Sequence, residues 1–229
     1  MKVALAIMVK QPAPGRVKTR LCPPLTPEQA RDLYRCFLLD KMTQVRRVAA
    51  ATPYLAFTPP EAGPFFRDLS GGTFSLVPQE GRDLGERLHH LSTHLLAVGH
   101  PGVVIIDSDT PSLPDPCLME AVERMTDRDT DAVFGPAEDG GYYLVGLRQS
   151  APAIFRAIAW STPVVLDQTL RAAVGTGLRV HLLPPWYDVD TGKDLGRLTR
   201  DLEGNGTTAR ETWAFLQGLR AGWVEGERS

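Results

Sequence analysis

The stretch V-A-L-A-I-M-V-K-Q-P-A-P-G-R-V-K-T-R-L, Val3 to Leu21, decides how this chain is read. Val3 to Val9 is an apolar run of strand length, and it breaks at Lys10 into a loop holding Pro12, Pro14 and Gly15. Lys10, Arg16, Lys18 and Arg20 crowd into the same loop. The carboxyl edge of an open α/β sheet is where ligands bind. Several cations on a tight loop suit a polyphosphate, because each offsets oxyanion charge at short range. The stretch therefore predicts a buried strand leading into a nucleotide-phosphate site.

Working outward, strand-like runs alternate with helical patterns. Thr26-Pro27-Glu28-Gln29 supplies an N-cap, a proline at the first helical position and a capping-box glutamine. Apolar residues at helical spacing then predict a long amphipathic helix to about Ala50. Strands are expected at Tyr54 to Phe57, Phe74 to Val77, Val103 to Ile106, Ala132 to Phe134, Tyr142 to Leu147 and Leu178 to Leu183. Helices are expected at Leu84 to Val98, Pro116 to Met125 and Thr162 to Val174. Two more, about Lys193 to Leu202 and Thr207 to Leu219, are split by Gly204-Asn205-Gly206, and Ala221 to Ser229 reads as a frayed tail. Phe57 to Thr73 and Asp139 to Tyr143 read as loops. This alternation predicts an α/β fold of three layers, α/β/α, around a mostly parallel Rossmann-like sheet. The 229 residues suffice for one sizeable core, so a single domain over residues 1–229 is expected.

Bulk properties narrow the partners. A formal net charge of -2 argues against nucleic acid or an anionic membrane as the main partner, so any basic patch is local. Cys22, Cys36 and Cys117 lack metal-type spacing and suggest reduced thiols in a cytoplasmic protein. Met1 to Val9 is short, meets Lys10 at once and has no small-residue cleavage site behind it, unlike a signal peptide. No run approaches the ~20 apolar residues that span a bilayer.

Further segments carry candidate chemistry. V-V-I-I-D-S-D-T-P, Val103 to Pro111, places Asp107 and Asp109 at a strand exit, where residues two apart share a face if the backbone stays extended. Both carboxylates then face one cation, whereas a turn would break that alignment. Mg²⁺ typically takes one or two protein carboxylates and completes its shell with water and phosphates. The plainer reading is a helix cap or a turn. W-Y-D-V-D-T-G-K-D-L, Trp186 to Leu195, supplies Asp188 and Asp190 after another strand. Thr191 and Asp194 there have capping-box spacing, which leaves Asp190 as the better metal candidate.

In G-P-A-E-D-G-G-Y-Y-L-V-G-L, Gly135 to Leu147, Gly140 and Gly141 allow a tight turn or close approach to a ligand. Glu138 and Asp139 are candidates to bind an acceptor or take its proton, and a simple hairpin turn is the alternative. Q-E-G-R-D-L-G-E-R-L, Gln79 to Leu88, puts Gly81, Asp83 and Arg87 at a helix entrance, with Asp83 as a plain N-cap the simpler reading. No G-x-S-x-G elbow, G-x-x-x-x-G-K-[ST] loop or G-x-G-x-x-G fingerprint occurs, and the five histidines show no metal-ligand pattern.

Taken in order, K-Q-P-A-P-G-R-V-K-T-R-L, Q-E-G-R-D-L-G-E-R-L, I-I-D-S-D-T-P, G-P-A-E-D-G-G-Y-Y-L and Y-D-V-D-T-G-K-D-L resemble the glycosyltransferase-A (GT-A, nucleotide-diphospho-sugar transferase) superfamily. Within it the chain is most similar to a bacterial glycosyltransferase-like group related to phospholactate guanylyltransferase and the molybdenum-cofactor guanylyltransferases. The resemblance runs from Val3 to about Leu202. It implies a GT-A fold, nucleotide phosphates held by Lys18 and Arg20, Asp109 as principal Mg²⁺ (or Mn²⁺) ligand and Asp190 as second acidic contact. Such proteins usually carry glycine where this chain has Asp107, and the change creates a literal D-x-D.

Together these readings make Lys18, Asp109 and Asp190 the expected catalytic group, with Lys10 and Gly15 beside Lys18 and Arg20 in the phosphate loop. Gly81, Asp83, Arg87, Asp139, Gly140 and Gly141 are expected around the base, ribose or acceptor, and Asp107 and Asp188 as further metal contacts. The expected ligands are a nucleoside di- or triphosphate or nucleotide sugar plus a small-molecule acceptor. Glycosyl transfer is the first expectation. Guanylyltransferase-like transfer of a nucleoside monophosphate to a phosphorylated acceptor is the alternative, and a catalytically silent nucleotide-binding module the third.

Overall fold

The computed structural model describes residues 1–205 and 208–226. The opening apolar run becomes β1 (Val3–Lys10), with Val3 to Ile7 buried on both faces, as a central parallel strand requires. Helix α1 (Pro27–Arg46) starts where the capping box predicts: the Gln29 N–H donates to Thr26 Oγ1 at 3.2 Å, and the Thr26 N–H to Gln29 Oε1 at 2.9 Å. There follow β2 (Ala51–Thr58), α2 (Gly63–Ser70), β3 (Ser75–Pro78), α3 (Leu84–Ala97), β4 (Val103–Ile106) and α4 (Asp115–Arg124). Then come β5 (Ala132–Pro136), β6 (Tyr142–Leu147), α5 (Val165–Gly175), β7 (Val180–Leu182), α6 (Gly192–Asn205) and α7 (Arg210–Gly226).

The described residues form a seven-stranded sheet in the order β3-β2-β1-β4-β6-β5-β7. The pairs β1–β2, β1–β4, β2–β3 and β5–β7 are parallel, while β6 runs antiparallel to both β4 and β5. Chain order reverses between β1 and β4, so the loops after these two strands leave in opposite directions and open a crevice at their carboxyl ends. Both the cationic loop and the D-S-D turn lie at that crevice.

Strand alternation divides the core in two. Val3, Leu5, Ile7 and Val9 of β1 pack with α1, α4, α6 and α7, whereas Ala4 and Ala6 face α3 and α5. Each fully buried Leu or Ile side chain contributes about 1.5–3 kcal/mol. No helix among the described residues is long and apolar enough to cross a membrane.

Several boundaries differ from the sequence reading. Helix α2 occupies part of the segment expected to be a loop, and its Phe66 is fully buried against the core. Helix α5 begins at Val165, not Thr162, because Pro163 disfavours helical backbone at the residue before it. Helix α6 continues through Gly204 and Asn205, and α7 continues through the expected tail as far as Gly226. Gly206, Thr207 and the tail's last three residues, 227–229, lie outside the described residues.

The 6 % exposed side chain of Asp40 on α1 is an N-terminal acceptor for α7, taking the Glu211 N–H at 2.9 Å and the Thr212 N–H at 2.8 Å. Asp40→Ala is expected to destabilise the protein by about 1 kcal/mol. That corresponds to a melting temperature roughly 2–4 °C lower. Asp40→Asn keeps an acceptor and should lose less, as thermal unfolding of both variants will report.

Candidate active site

The loop after β1 turns sharply through Gly15 (φ +67°) and reaches Lys18, a non-glycine residue in left-handed conformation (φ +47°). Such backbone costs roughly 1–3 kcal/mol and persists only where its surroundings enforce it. Here the enforcement is electrostatic. The Lys18 side chain is 4 % exposed, and its Nζ lies 2.7 Å from Asp109 Oδ1 and 3.0 Å from Asp190 Oδ1. It also donates to the Val189 carbonyl at 2.9 Å. Three segments remote in sequence meet at this one ammonium. Burial pulls its pKa down, but Asp109 and Asp190 outweigh burial and hold it above the ordinary lysine value.

Helix α1 lies beneath the meeting point. Tyr34, Phe37, Lys41 and Gln44, spaced to share one helix face, point at the strand ends. The Tyr34 hydroxyl accepts from the Lys10 N–H at 3.2 Å and pairs with Ser108 Oγ at 2.9 Å, while the Phe37 ring centroid is 5.7 Å from Lys18 Nζ. Lys41 is fully buried and donates to the Thr110 carbonyl at 2.7 Å and to Gln44 Oε1 and Thr110 Oγ1, both at 3.1 Å. Burial lowers its pKa to about 8.

The D-x-D does not present two carboxylates to one cation. The Asp109 N–H and the Thr110 hydroxyl both donate to Asp107 Oδ1, at 3.1 and 2.8 Å, so a turn separates the two side chains. Asp109 faces Lys18, whereas Asp107 faces Lys41 and Asp188. Asp188 Oδ1 is buried and has no hydrogen-bond partner among the described residues. Burial and the neighbouring negative charge push Asp188 well above the carboxylate range, and burial raises Asp107 as well.

The triad divides two clefts. The first, of about 430 Å³, is lined by Lys10, Arg16, Lys18, Arg20, Gln79 and Arg87 among others. Arg87 Nε donates to the Gly81 carbonyl at 3.1 Å, and Gln79 Nε2 donates to the carbonyls of Val9 and Ala56 at 3.1 and 2.7 Å. Asp83 caps α3 by accepting the Glu86 N–H at 2.8 Å; neither it nor Gly81 lines this cleft. The second cleft, of about 400 Å³, carries Asp107, Asp139, Gly141, Asp188, Tyr142 and Trp160, and shares Arg20, Leu84, Asp109 and Asp190 with the first. Residues grouped in the sequence as one binding loop are thus distributed: Arg87 belongs to the first cleft, Asp139 and Gly141 to the second.

Around the second cleft, Gly140 has φ +92°, and a Cβ there would stand 2.1 Å from the Pro163 carbonyl oxygen. A Cβ at Gly85 would stand 2.6 Å from Trp160 Nε1. Both glycines thus make room for the segment 156–164, which forms the cleft wall. Glu138, a sequence candidate for acceptor chemistry, is committed to an ion pair with Arg197, and that guanidinium lies 3.8 Å from the Tyr187 ring centroid. Thr191 and Asp194 form the expected cap, the Thr191 N–H donating to Asp194 Oδ2 at 2.8 Å. Sequence reading missed Tyr34, Lys41, Gln44 and Trp160. Two polar residues on the apolar face of α1, Lys41 and Gln44, were the available signal.

A mostly parallel seven-stranded sheet that reverses at such a crevice has the architecture of the nucleotide-diphospho-sugar transferase fold. The model for a bacterial family described as uncharacterized protein conserved in bacteria (DUF2064) matches residues 40–162. A crystal structure from Desulfovibrio desulfuricans, named as a candidate nucleotide-diphospho-sugar transferase, is 33 % identical, with 96 % of each chain covered and a TM-score of 0.90. The chain belongs to this family. A CMP:2-keto-3-deoxy-manno-octonic acid synthetase complexed with CTP is similar in fold at 12 % identity, covering 89 % of this chain and 99 % of the other, with a TM-score of 0.55. So is a 4-diphosphocytidyl-2C-methyl-D-erythritol synthase from Anaerococcus prevotii, at 10 % identity, 88 % and 96 % coverage and a TM-score of 0.58. No curated protein matches the chain.

Replacing Lys18 with Met leaves Asp109 and Asp190 facing each other without their cation. The carboxylates are 38 % and 39 % exposed, so the loss is expected at about 1–3 kcal/mol, below that of a fully buried pair. Part of that loss is repulsion between the two carboxylates, which salt screens. The deficit should therefore narrow as ionic strength rises, as melting curves across salt concentration will show.

Proposed function

We propose that the protein is a metal-dependent transferase acting on a nucleotide-activated donor, with glycosyl transfer from a nucleoside-diphosphate sugar as the first reading. The observation that carries it is the convergence of Lys18, Asp109 and Asp190 on the border between a cationic and an acidic cleft. Lys10, Arg16, Arg20 and Arg87 supply the positive charge that a diphosphate needs. Gln79, Thr58 and Met8 line the same cleft and suit the nucleoside.

The donor set fits Mg²⁺ or Mn²⁺. Two carboxylate oxygens, Asp109 Oδ1 and Asp190 Oδ1, already meet around one cationic nitrogen, and hard divalent ions take such oxygens. Among the described residues no group of three His, Cys, Asp or Glu side chains is placed to hold a metal ion by itself, so the proposed ion would draw its remaining ligands from water and phosphate oxygens. Bound there, the ion would supply Lewis-acid stabilisation of the leaving phosphate. The protein's own part is to fix both carboxylates through Lys18 and to neutralise the phosphates through the cationic loop. Asp107 and Asp188, joined to each other beside Lys41, shape the floor behind the ligand pair.

Lys10, Arg16, Arg20 and Arg87 would serve a triphosphate as well, which supports a second reading: a guanylyltransferase-like nucleotidyltransferase releasing pyrophosphate. Product identity separates the two. Incubation with nucleotide sugars and Mg²⁺ is expected to release nucleoside diphosphate, whereas pyrophosphate from a nucleoside triphosphate would establish the second. Asp109→Ala is expected to lower turnover at least about 100-fold, the scale on which a charge-stabilising group acts. Its melting curve should remain that of a folded protein. Calorimetric nucleotide binding that ignores Mg²⁺ and survives Asp109→Ala would overturn both readings in favour of a silent binding module.

A further inference from the structure

We infer that the second cleft takes an acceptor without phosphate: an uncharged polyhydroxylated molecule or an amine-bearing one, presented against Trp160. The inference rests on the proposed transferase reading and adds the chemical class of the acceptor. It starts from a contrast within one continuous crevice. The first cleft is rich in Lys and Arg, but the second has Arg20 as its one cationic lining residue, and Arg20 faces Asp190 at 3.6 Å. Asp107, Asp139 and Asp188 line the rest, with Asp188 Oδ1 buried and unpartnered among the described residues. A phosphorylated acceptor needs several cationic donors. This wall offers acceptor oxygens, which suit hydroxyl or ammonium donors.

The rest of the lining includes two aromatic rings, beside Leu84, Ser161, Thr162, Pro163 and Val165. Tyr142 and Trp160 meet edge to face, with ring centroids 6.3 Å apart and planes at 74°. An indole presents an apolar face to the C–H side of a carbohydrate or to the hydrocarbon part of an amine. The wall is built, not incidental: Gly85 and Gly140 leave the room that Trp160 and Pro163 occupy, and the Leu166 N–H fixes the segment by donating to the Gly140 carbonyl at 2.9 Å.

In the transfer, an acceptor hydroxyl oxygen forms a bond to the anomeric carbon while the bond from that carbon to the phosphate oxygen breaks. The bonding pair leaves with the nucleoside diphosphate. The acceptor proton passes to Asp139, which lines the cleft and has one oxygen engaged by the Gly141 N–H at 2.9 Å. Glu138 is already paired with Arg197.

The test compares matched acceptors (hexoses and polyols, an aminohexose, and the phosphorylated counterparts of each) with nucleotide sugars and Mg²⁺, following nucleoside diphosphate release and product mass. Uncharged and amine-bearing members are expected to exceed their phosphorylated counterparts at least tenfold in kcat/KM. Thr162→Lys, on the exposed rim, should narrow that ratio, and Trp160→Ala should raise acceptor KM while donor KM stays constant. Asp139→Asn should lower kcat with little change in acceptor KM; an unchanged kcat removes Asp139 from the step. A preference for phosphorylated acceptors, with donor cleavage intact, would overturn the acceptor class and leave the transferase reading standing. Absence of nucleotide binding and cleavage with every donor would overturn that reading itself.

Discussion

A buried ammonium must be compensated, and most of the site's geometry follows from how Lys18 achieves this. With 4 % of its side chain exposed, Lys18 has lost its hydration and needs oxygen partners on every side. It finds them in Asp109, Asp190 and the Val189 carbonyl, which lie beyond two other strands. The left-handed backbone at Lys18 is the local cost of reaching them. One side chain thereby holds the first loop, the turn after β4 and the entrance of α6 in a fixed relation.

A second polar network runs in parallel and explains why adjacent carboxylates behave differently. Lys41 reaches up from α1 to Thr110 and to Gln44 beside it, and Thr110 donates to Asp107, which abuts Asp188. The Asp109 carboxylate, two residues away, ion-pairs with Lys18. The Asp107-centred turn keeps the two apart, so one acid pair is an anchor and the other lies open between the clefts. The same division separates Asp188 from Asp190. Buried polar networks of this kind are favourable to the extent that their members are satisfied; α1 supplies Lys41 and Gln44 to one and the Phe37 ring beside Lys18 to the other.

The clefts differ in charge because they are built from different connections. The cationic one is walled by the loop after β1 and the entrance to α3, the acidic one by the turn after β4, the hairpin between β5 and β6 and the segment 156–164. They touch only through the shared residues at the sheet's reversal. That arrangement sets two electrostatic environments side by side, within reach of common groups.

Strand and helix succession was readable because each element carries its own signal: the unbroken apolar run of β1, the capping box of α1 and the β-branched β4. The N-caps at Thr26, Asp83 and Thr191 likewise follow from local hydrogen bonding within three residues. Helix α2 and the wall at Trp160 escaped, since both depend on surfaces supplied by distant chain, such as the core around Phe66 and the space left by Gly85 and Gly140. The D-x-D was visible as two acids with an extended strand and a turn as open alternatives; the turn holds, closed by a hydrogen bond that the spacing does not reveal. Sequence alone thus determined the alternating α/β order, the cationic loop and the acids at strand ends, all of which are encoded in contiguous residues. Tertiary structure decided which acid meets which cation, and that one crevice has a basic half and an acidic half. Those facts depend on strand order in the sheet, where residues 18, 109 and 190 become neighbours through packing and not through sequence.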